Sequence, residues 1–538
     1  MKKITCLIAL LILFYPVQKI SGADKKADTS RCSALAGLAE KGFMVEKAEI
    51  VPAGPAPAAD GSGVIDNNGE PLPEHCLVQG MLNPRTGANG RKFGLGFDLR
   101  MPTKWNGRFA FHGGGGMDGR LAPALGDIFG SVRPSALARG FAVVSTDGGH
   151  RGDWLDASFG LDQQARIDYA YNALDKVTIK AKELVKKYYG SAPRYSYLLG
   201  CSNGGRQGLM ASQRLPLHFD GIVAGDPSIK FSRIAVDEMW NLQVVARISP
   251  KDDNGRPVIS RAFLDGDLSL VADSVLKHCD AIDGLADGII NDWQGCDFDP
   301  GILTCKADKS DSCLTEAQVG ALRDLYAGPR TSDGESLYSP YNYDTGIADP
   351  IWRAMRLGSS GTGEWDAADA VLGLSNMRYY QLTPPDPDLD PLSFDFDKDV
   401  EHTRHTGALG DADSTFLETF ARNGKMIVYN GLSDQGMASR VLIDWYDEVV
   451  KVNGGSIRES VRLFLIPGMC HCDGGQATDR FDMLKAIMAW VEEGRAPDRI
   501  IATGQAFPGV SRPLCPYPLV ARYWGGDVNS AESFVCTD

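Results

Sequence analysis

The run Tyr197-Leu198-Leu199-Gly200-Cys201-Ser202-Asn203-Gly204-Gly205-Arg206 constrains this chain more than any other. An apolar, strand-like stretch meets Gly-x-Ser-x-Gly, and Gln207 to Arg214 reads on as a helix. A chain that turns straight from strand into helix passes through a strained residue, and flanking glycines let neighbouring backbone come close. A serine at that turn projects its Oγ from the sheet, with a helix N-terminus behind it. A bare Gly-x-Ser-x-Gly also occurs in glycine-rich loops that bury a serine. The remaining chain has to decide between nucleophile and loop.

The rest of the chain has the rhythm of a parallel sheet. Phe141 to Asp147 and Phe219 to Asp226 are short apolar runs of the kind carried by strands buried on both faces. Val177 to Tyr189 has helical periodicity and stops at Gly190, just ahead of the Tyr197 strand. Upstream, Cys76 to Met81, Lys92 to Leu99 and Trp105 to Phe111 read as strands. Asp28 to Ala59 reads as a short helical start followed by a loop rich in proline and alanine. His112 and the run Gly113 to Gly116 then follow a strand. That is where a second oxyanion-binding N–H belongs, and no Gly-Lys-Ser/Thr follows to make it a phosphate loop.

Strand–helix alternation predicts an α/β fold with a mostly parallel, doubly wound sheet, the α/β-hydrolase arrangement once the serine turn is included. The rhythm breaks near Pro227 and resumes at Lys425 to Tyr429. A helix from Met437 to Val450, a strand from Val461 to Ile466 and an amphipathic helix from Phe481 to Glu493 complete it. Residues 227–417 are therefore expected to form a large inserted lid domain, with the core supplied by residues 23–226 and 418–538.

Length agrees, since 538 residues suit a core that carries an insertion. A formal charge of −14 without a basic stripe excludes a nucleic-acid surface. Residues 1–22 read as a signal peptide. Lys2 and Lys3 precede an apolar stretch, Ile4 to Val17, too short for an ordinary membrane span, and Ser21, Gly22 and Ala23 suit a signal peptidase. Cys6 opens that stretch rather than following it, which argues against lipid attachment. No later stretch is long and apolar enough to span a bilayer. A periplasmic or secreted location is expected, and it permits disulfides. Of twelve cysteines, removal of Cys6 leaves eleven, so at least one has no partner in the chain. None of their spacings makes a zinc site.

A serine nucleophile needs a base, and the base needs an orienting acid. On this fold they follow in the order Ser, Asp or Glu, His. Of eight histidines only His471 lies beyond the resumed sheet, on the loop after the Ile466 strand. Asp434, on the loop after the preceding strand, is the natural acid; Asp444 and Asp447 fall within a helix. His112, beside the glycine run, is a candidate for the pocket wall.

Gly200-Cys201-Ser202-Asn203-Gly204-Gly205-Arg206-Gln207-Gly208, Asp434 and His471-Cys472 together resemble the tannase and feruloyl esterase family, along nearly the whole chain after the leader. The resemblance implies a serine esterase acting on small aromatic carboxylic esters: galloyl, feruloyl, other phenolic or terephthalate half-esters. Ser202, His471 and Asp434 would be the triad, with the N–H groups of Asn203 and of Gly114 or Gly115 as the oxyanion hole. Asn203 stands where the family more often has Thr or Glu. The resemblance also implies disulfides Cys201–Cys472, Cys32–Cys76, Cys279–Cys296, Cys305–Cys313 and Cys515–Cys536, leaving Cys470 free. The competing classes are a secreted peptidase on the same fold and a non-catalytic binding protein.

Asp280, Asp283 and Asp287, spaced by glycines, read by themselves more readily as an acidic, solvated turn than as a wrap for a hard cation; the pattern is not an EF-hand. The resemblance implies a structural Ca²⁺ held by these three carboxylates and the carbonyls of Leu285 and Ile289, and no organic cofactor. Trp352, Arg353, Arg378, Tyr379 and Tyr380 in the insertion are candidates to stack on a substrate ring or pair with a carboxylate, or else to pack the lid. A monomer or weak dimer is expected.

Overall fold

Continuous apolar runs need two buried faces, and a ten-stranded sheet supplies them. The computed structural model describes residues 25–26, 29–57 and 67–538; the expected signal peptide lies outside the described residues. The strands are β1 (Ala39–Glu40), β2 (Phe43–Val51), β3 (His75–Thr86), β4 (Lys92–Pro102), β5 (Arg108–His112), β6 (Ala142–Thr146), β7 (Tyr195–Cys201), β8 (Gly221–Gly225), β9 (Lys425–Gly431) and β10 (Val461–Ile466). Their order across the sheet is β10-β9-β8-β7-β5-β6-β4-β3-β2-β1. The six from β10 to β6 are parallel, and the remaining pairings are antiparallel.

Alternate residues of each parallel strand enter opposite cores. Leu198, Ile222, Met426 and Leu463 face one side with helices α1 (Ala173–Tyr189), α2 (Asn203–Arg214) and α6 (Ser439–Asn453). Tyr197, Leu199, Val223, Ile427 and Phe464 face the other, against α7 (Met483–Glu493). Leu198 and Leu199 are both fully buried, so truncating either to Ala costs about 2–5 kcal/mol. Register then places the site. Cys201 pairs with Gly225, Gly225 with Tyr429, and Gly431 with Ile466. The loops that leave the carboxyl ends of β7, β8, β9 and β10 therefore emerge side by side.

Between β8 and β9 the chain builds a second core from α3 (Phe231–Ile248), α4 (Asp265–Cys279), α5 (Glu316–Ala327) and a helix over Pro350–Arg356. Thr315 starts α5 with a reciprocal cap: its Oγ1 accepts the Gln318 N–H, and Gln318 Oε1 accepts the Thr315 N–H, both at 3.1 Å. Among the described residues five disulfides join Cys32–Cys76, Cys201–Cys472, Cys279–Cys296, Cys305–Cys313 and Cys515–Cys536. Among the described residues Cys470 is the free cysteine, and burial pushes its thiol pKa up. No helix of the described residues is long and apolar enough to cross a membrane.

The structure bears out the short helical start, over Thr29–Ser33, and corrects the loop expected to follow it. Phe43–Val51 is a nine-residue strand of the main sheet. Its register slips between Val45 and Lys47, so the apolar/polar alternation by which a strand is recognised breaks off after Val45.

Candidate active site

Ser202 joins β7 to α2 with φ 61° and ψ −124°, a conformation that costs a non-glycine residue about 1–3 kcal/mol. The glycines around it make the turn possible by close approach. A Cβ on Gly200 would meet Gly204 at 2.5 Å, and one on Gly205 would strike the Gly225 carbonyl. The Ser202 N–H donates to Gly225 O at 3.0 Å, which ties the turn to β8.

His471 stands on the loop after β10, and its Nδ1 lies 2.8 Å from Asp434 Oδ2 on the loop after β9. Asp434 Oδ1 accepts the N–H groups of Gly436 at 2.8 Å and Met437 at 2.9 Å. Burial works against the Asp434 charge, but His471 and these donors hold its pKa below the usual carboxylate value. Burial likewise works against the imidazolium, yet the Asp434 charge and hydrogen bond lift His471 to about 9. The Cys201–Cys472 bond, with Cα atoms 6.0 Å apart, ties the residue before Ser202 to the residue after His471. Cys472 has φ 70°, a second strained non-glycine residue at this site. Asp444 and Asp447 lie on α6 away from His471, accepting from Ser339 Oγ and the Tyr517 hydroxyl.

The glycine run is fixed by side chains of α2. Gln207 Oε1 accepts the Gly114 N–H at 3.0 Å, so the N–H of Gly114, one of the two expected oxyanion donors, is already engaged. Gln207 Nε2 donates to Asp118 Oδ2 at 3.3 Å, and Asn203 Nδ2 donates to Asp118 Oδ1 at 2.7 Å. Fully buried Arg206 donates to Asn203 Oδ1 through Nε at 2.9 Å and Nη2 at 2.6 Å. The Asn203 side chain thus belongs to the scaffold and not to the pocket wall. Burial raises the Asp118 pKa to about 7, although Asn203 and Arg206 oppose the shift. His112 is half-buried, its Nε2 3.8 Å from Asp127.

The five insertion residues considered for substrate contact are engaged within the protein. Trp352 lies in the helical core, 5% exposed. Tyr380 is fully buried, its ring 5.2 Å from Tyr169 and 5.6 Å from Phe159. Arg378 donates to Leu389 O, and Arg353 donates to Ser260 O and Phe263 O. Half-buried Tyr379 packs on the Phe159 cluster and gives its carbonyl to Arg166. Trp154 has no motif to single it out in the sequence. It lies on the loop after β6, 46% exposed, and a Cβ on Gly116 would meet its ring at 2.7 Å. Loops beyond the carboxyl ends of parallel strands are where ligands bind, and that rule is the signal that could have found it.

The acidic loop follows α4. Asp280 accepts the Gly288 N–H, Asp283 accepts those of Leu285 and Asn291, and Asp287 accepts that of Ile289 and pairs with Arg512. Burial, then repulsion from Asp287, raises the pKa of Asp280 and Asp283 against these hydrogen bonds. Among the described residues the three carboxylates do not bring three oxygens within 4.8 Å of one another. In type the donors fit a hard cation: oxygens only, three formal negative charges, in a loop closed by Cys279–Cys296.

A parallel sheet that presents a strained serine, bridged to a histidine–aspartate pair, is the framework of a hydrolase, and comparison with known proteins fixes the class as carboxylic ester hydrolase. The chain belongs to the tannase and feruloyl esterase family, whose model matches residues 76–537. It is 41% identical over 514 residues to the mono(2-hydroxyethyl) terephthalate hydrolase of Piscinibacter sakaiensis, covering 86% of this chain and 85% of that one. It is 30% identical to a probable feruloyl esterase of Arthroderma benhamiae, covering 81% of each. Among solved structures, feruloyl esterase B from Aspergillus oryzae shares the fold with a TM-score of 0.79 at 24% identity, covering 95% of this chain and all of that one. Tannin acyl hydrolase from Aspergillus niger does so with a TM-score of 0.71 at 18% identity, covering 96% of each.

Proposed function

We propose that the protein is an exported serine esterase that cleaves small aromatic carboxylic esters through an acyl-enzyme. The Cys201–Cys472 bridge carries the reading, because it couples the strained Ser202 to His471 and Asp434. His471 Nε2 takes the Ser202 proton as Oγ attacks the ester carbonyl, while Asp434 holds Nδ1–H and so selects the tautomer. The N–H groups of Asn203 and Gly115 receive the oxyanion, Gly114 being held by Gln207. His471 then protonates the leaving alcohol. A water activated by the same base releases the acid and restores Ser202.

The aromatic preference is supported by the named relatives and by Trp154, which offers a ring face beside the glycine run. The helices between β8 and β9 act as the lid in this reading. Five disulfides and the N-terminal leader pattern support export. Asp280, Asp283 and Asp287, with the carbonyls of Leu285 and Ile289, hold a structural Ca²⁺. When bound, the ion neutralises that loop and braces it, and no step of hydrolysis passes through it.

The test is a hydrolysis screen over methyl gallate, methyl ferulate and a terephthalate half-ester, with Ser202→Ala and Trp154→Ala alongside. Turnover of at least one ester, lost in folded Ser202→Ala and with a higher KM in Trp154→Ala, is expected. Near-native turnover by folded Ser202→Ala sinks the triad.

A further inference from the structure

Behind the histidine–aspartate pair lies a second carboxyl group that the hydrolytic steps leave unused. Asp226 follows β8 and is fully buried. Its φ is 37°, and such strain persists only where the surroundings over-determine the backbone. Those surroundings are the carboxyl ends of β7 and β9 and the disulfide that leads to the loop after β10. The Asp226 N–H donates to Tyr429 O at 2.8 Å. Asp226 Oδ1 accepts the Gly431 N–H at 2.8 Å and Asn430 Nδ2 at 2.9 Å, and the same Nδ2 lies 3.5 Å from Asp434 Oδ2. Asp226 Oδ2 lies 3.6 Å from Sγ of Cys201, in the bridge to Cys472. An oxygen of Asp226, an oxygen of Asp434 and a ring nitrogen of His471 all lie within 4.8 Å of one another.

Two buried carboxyl groups thus face one imidazole. The other titratable groups whose charge couples to Asp226 are Tyr429 on β9 and Cys470 on the loop after β10, both kept neutral by burial. Asp473 lies beyond, coupled to His471, Arg480 and Arg133. No Lys or Arg is among the principal charges acting on Asp226. Adjacent carboxylates without a second cation do not both ionise.

We infer that Asp226 is a positioning residue of the catalytic relay: it stays protonated, donates its hydroxyl hydrogen toward Asp434, and leaves one negative charge opposite His471. Burial first, then the Asp434 charge, push its pKa well above the ordinary carboxylate value. The geometry divides its labour. Oδ1, through Gly431 and Asn430, sets the loop that carries Asp434, while the protonated oxygen stabilises the Asp434 carboxylate that orients His471. The proton stays within the pair throughout the reaction. The inference rests on the proposed triad.

Asparagine reproduces a protonated aspartic acid here, with one oxygen to accept and one N–H to donate, whereas alanine reproduces neither. With p-nitrophenyl acetate as substrate, Asp226→Ala is expected to lower kcat about a hundredfold with little change in KM, and Asp226→Asn to recover at least about tenfold of that loss. The acid limb of kcat/KM in Asp226→Asn should coincide with that of the wild type. An infrared difference spectrum, wild type minus Asp226→Asn at neutral pH, should show the C=O stretch of a protonated carboxylic acid. An acid limb displaced downward by about one pH unit means that Asp226 is ionised and overturns the inference. So does the lack of that infrared band, or an Asn variant with native melting temperature that is no better than Ala. If Asp226→Ala does not fold, the pH profile and infrared spectrum of the Asn variant still decide. Activity surviving in folded Ser202→Ala refutes the triad itself, which is a separate failure.

Discussion

Gln207 Oε1 accepts the Gly114 N–H at 3.0 Å, so a side chain on the nucleophile's own helix sets the height of the glycine loop opposite. The same amide reaches Asp118, which also holds Asn203. Both walls of the proposed oxyanion hole are therefore referenced to one buried carboxyl group. Gln207→Leu keeps the volume and removes both hydrogen bonds. Because losing an oxyanion donor outright costs about a hundredfold to a thousandfold in kcat, displacing one by a misplaced loop should cost about tenfold to a hundredfold. Steady-state kinetics on a small aromatic ester check this, with KM expected to hold.

The pH dependence follows from the His471–Asp434 pair. His471 must be neutral to accept the Ser202 proton, and its pKa is lifted to about 9. The kcat/KM profile should rise with pH, its acid limb lying above the value of about 6.5 for free imidazole. In stability the sign is the reverse. A raised folded-state pKa contributes fully below about 6.5 and is lost as pH rises through about 9. Asp434→Asn should lower the acid limb and cut kcat by about 10⁴-fold, as loss of the orienting acid does in comparable triads. An acid limb unmoved in that variant rules out Asp434 as the partner.

Cys201→Ser with Cys472→Ser removes the bridge between the two loops. Disulfides typically contribute about 2–4 kcal/mol to stability, so the melting temperature should fall. Assayed well below that temperature, kcat should fall by more than the folded fraction does, since the serine–histidine spacing is no longer held. A kcat loss that tracks the folded fraction alone would falsify the geometric role.

Chelation with EDTA should lower the melting temperature if Asp280, Asp283 and Asp287 hold Ca²⁺, and added Ca²⁺ should restore it. Ligand-linked stabilisation grows as RT ln(1 + [L]/Kd), so the midpoint should depend on Ca²⁺ concentration. Chemistry should be affected last, because the loop follows α4 and leans on Arg512, not on the loops that carry Ser202, Asp434 and His471. A midpoint indifferent to both additions, with no metal in the purified protein, removes the site.

The sheet was largely legible because its parallel strands are short apolar runs that report burial on both faces. The strand-to-helix turn at Ser202 and the pairing of His471 with Asp434 were legible from chain order, since each residue follows a recognisable strand. Strand β2 was not, because the slip between Val45 and Lys47 breaks its alternation. Trp352 and Tyr380 were considered for the cleft because aromatics serve cores and ligands equally, and only contacts distinguish the two uses. Asp226 was read merely as the end of a strand. Its significance comes from Asn430, Gly431 and His471, all more than 200 residues later, and from a backbone φ that no sequence pattern announces.

The Cys201–Cys472 bond closes a ring of chain across a sequence separation of 271, and the whole helical insertion lies within that ring. Loop-closure entropy grows only logarithmically with length, so residues added inside such a ring carry a small penalty. Ser202 and His471, the proposed nucleophile and base, are clasped at the ring's two ends, which makes their separation independent of what is strung between them. The insertion is thereby free to diverge in size and shape while the spacing of Ser202 and His471 keeps its dimensions.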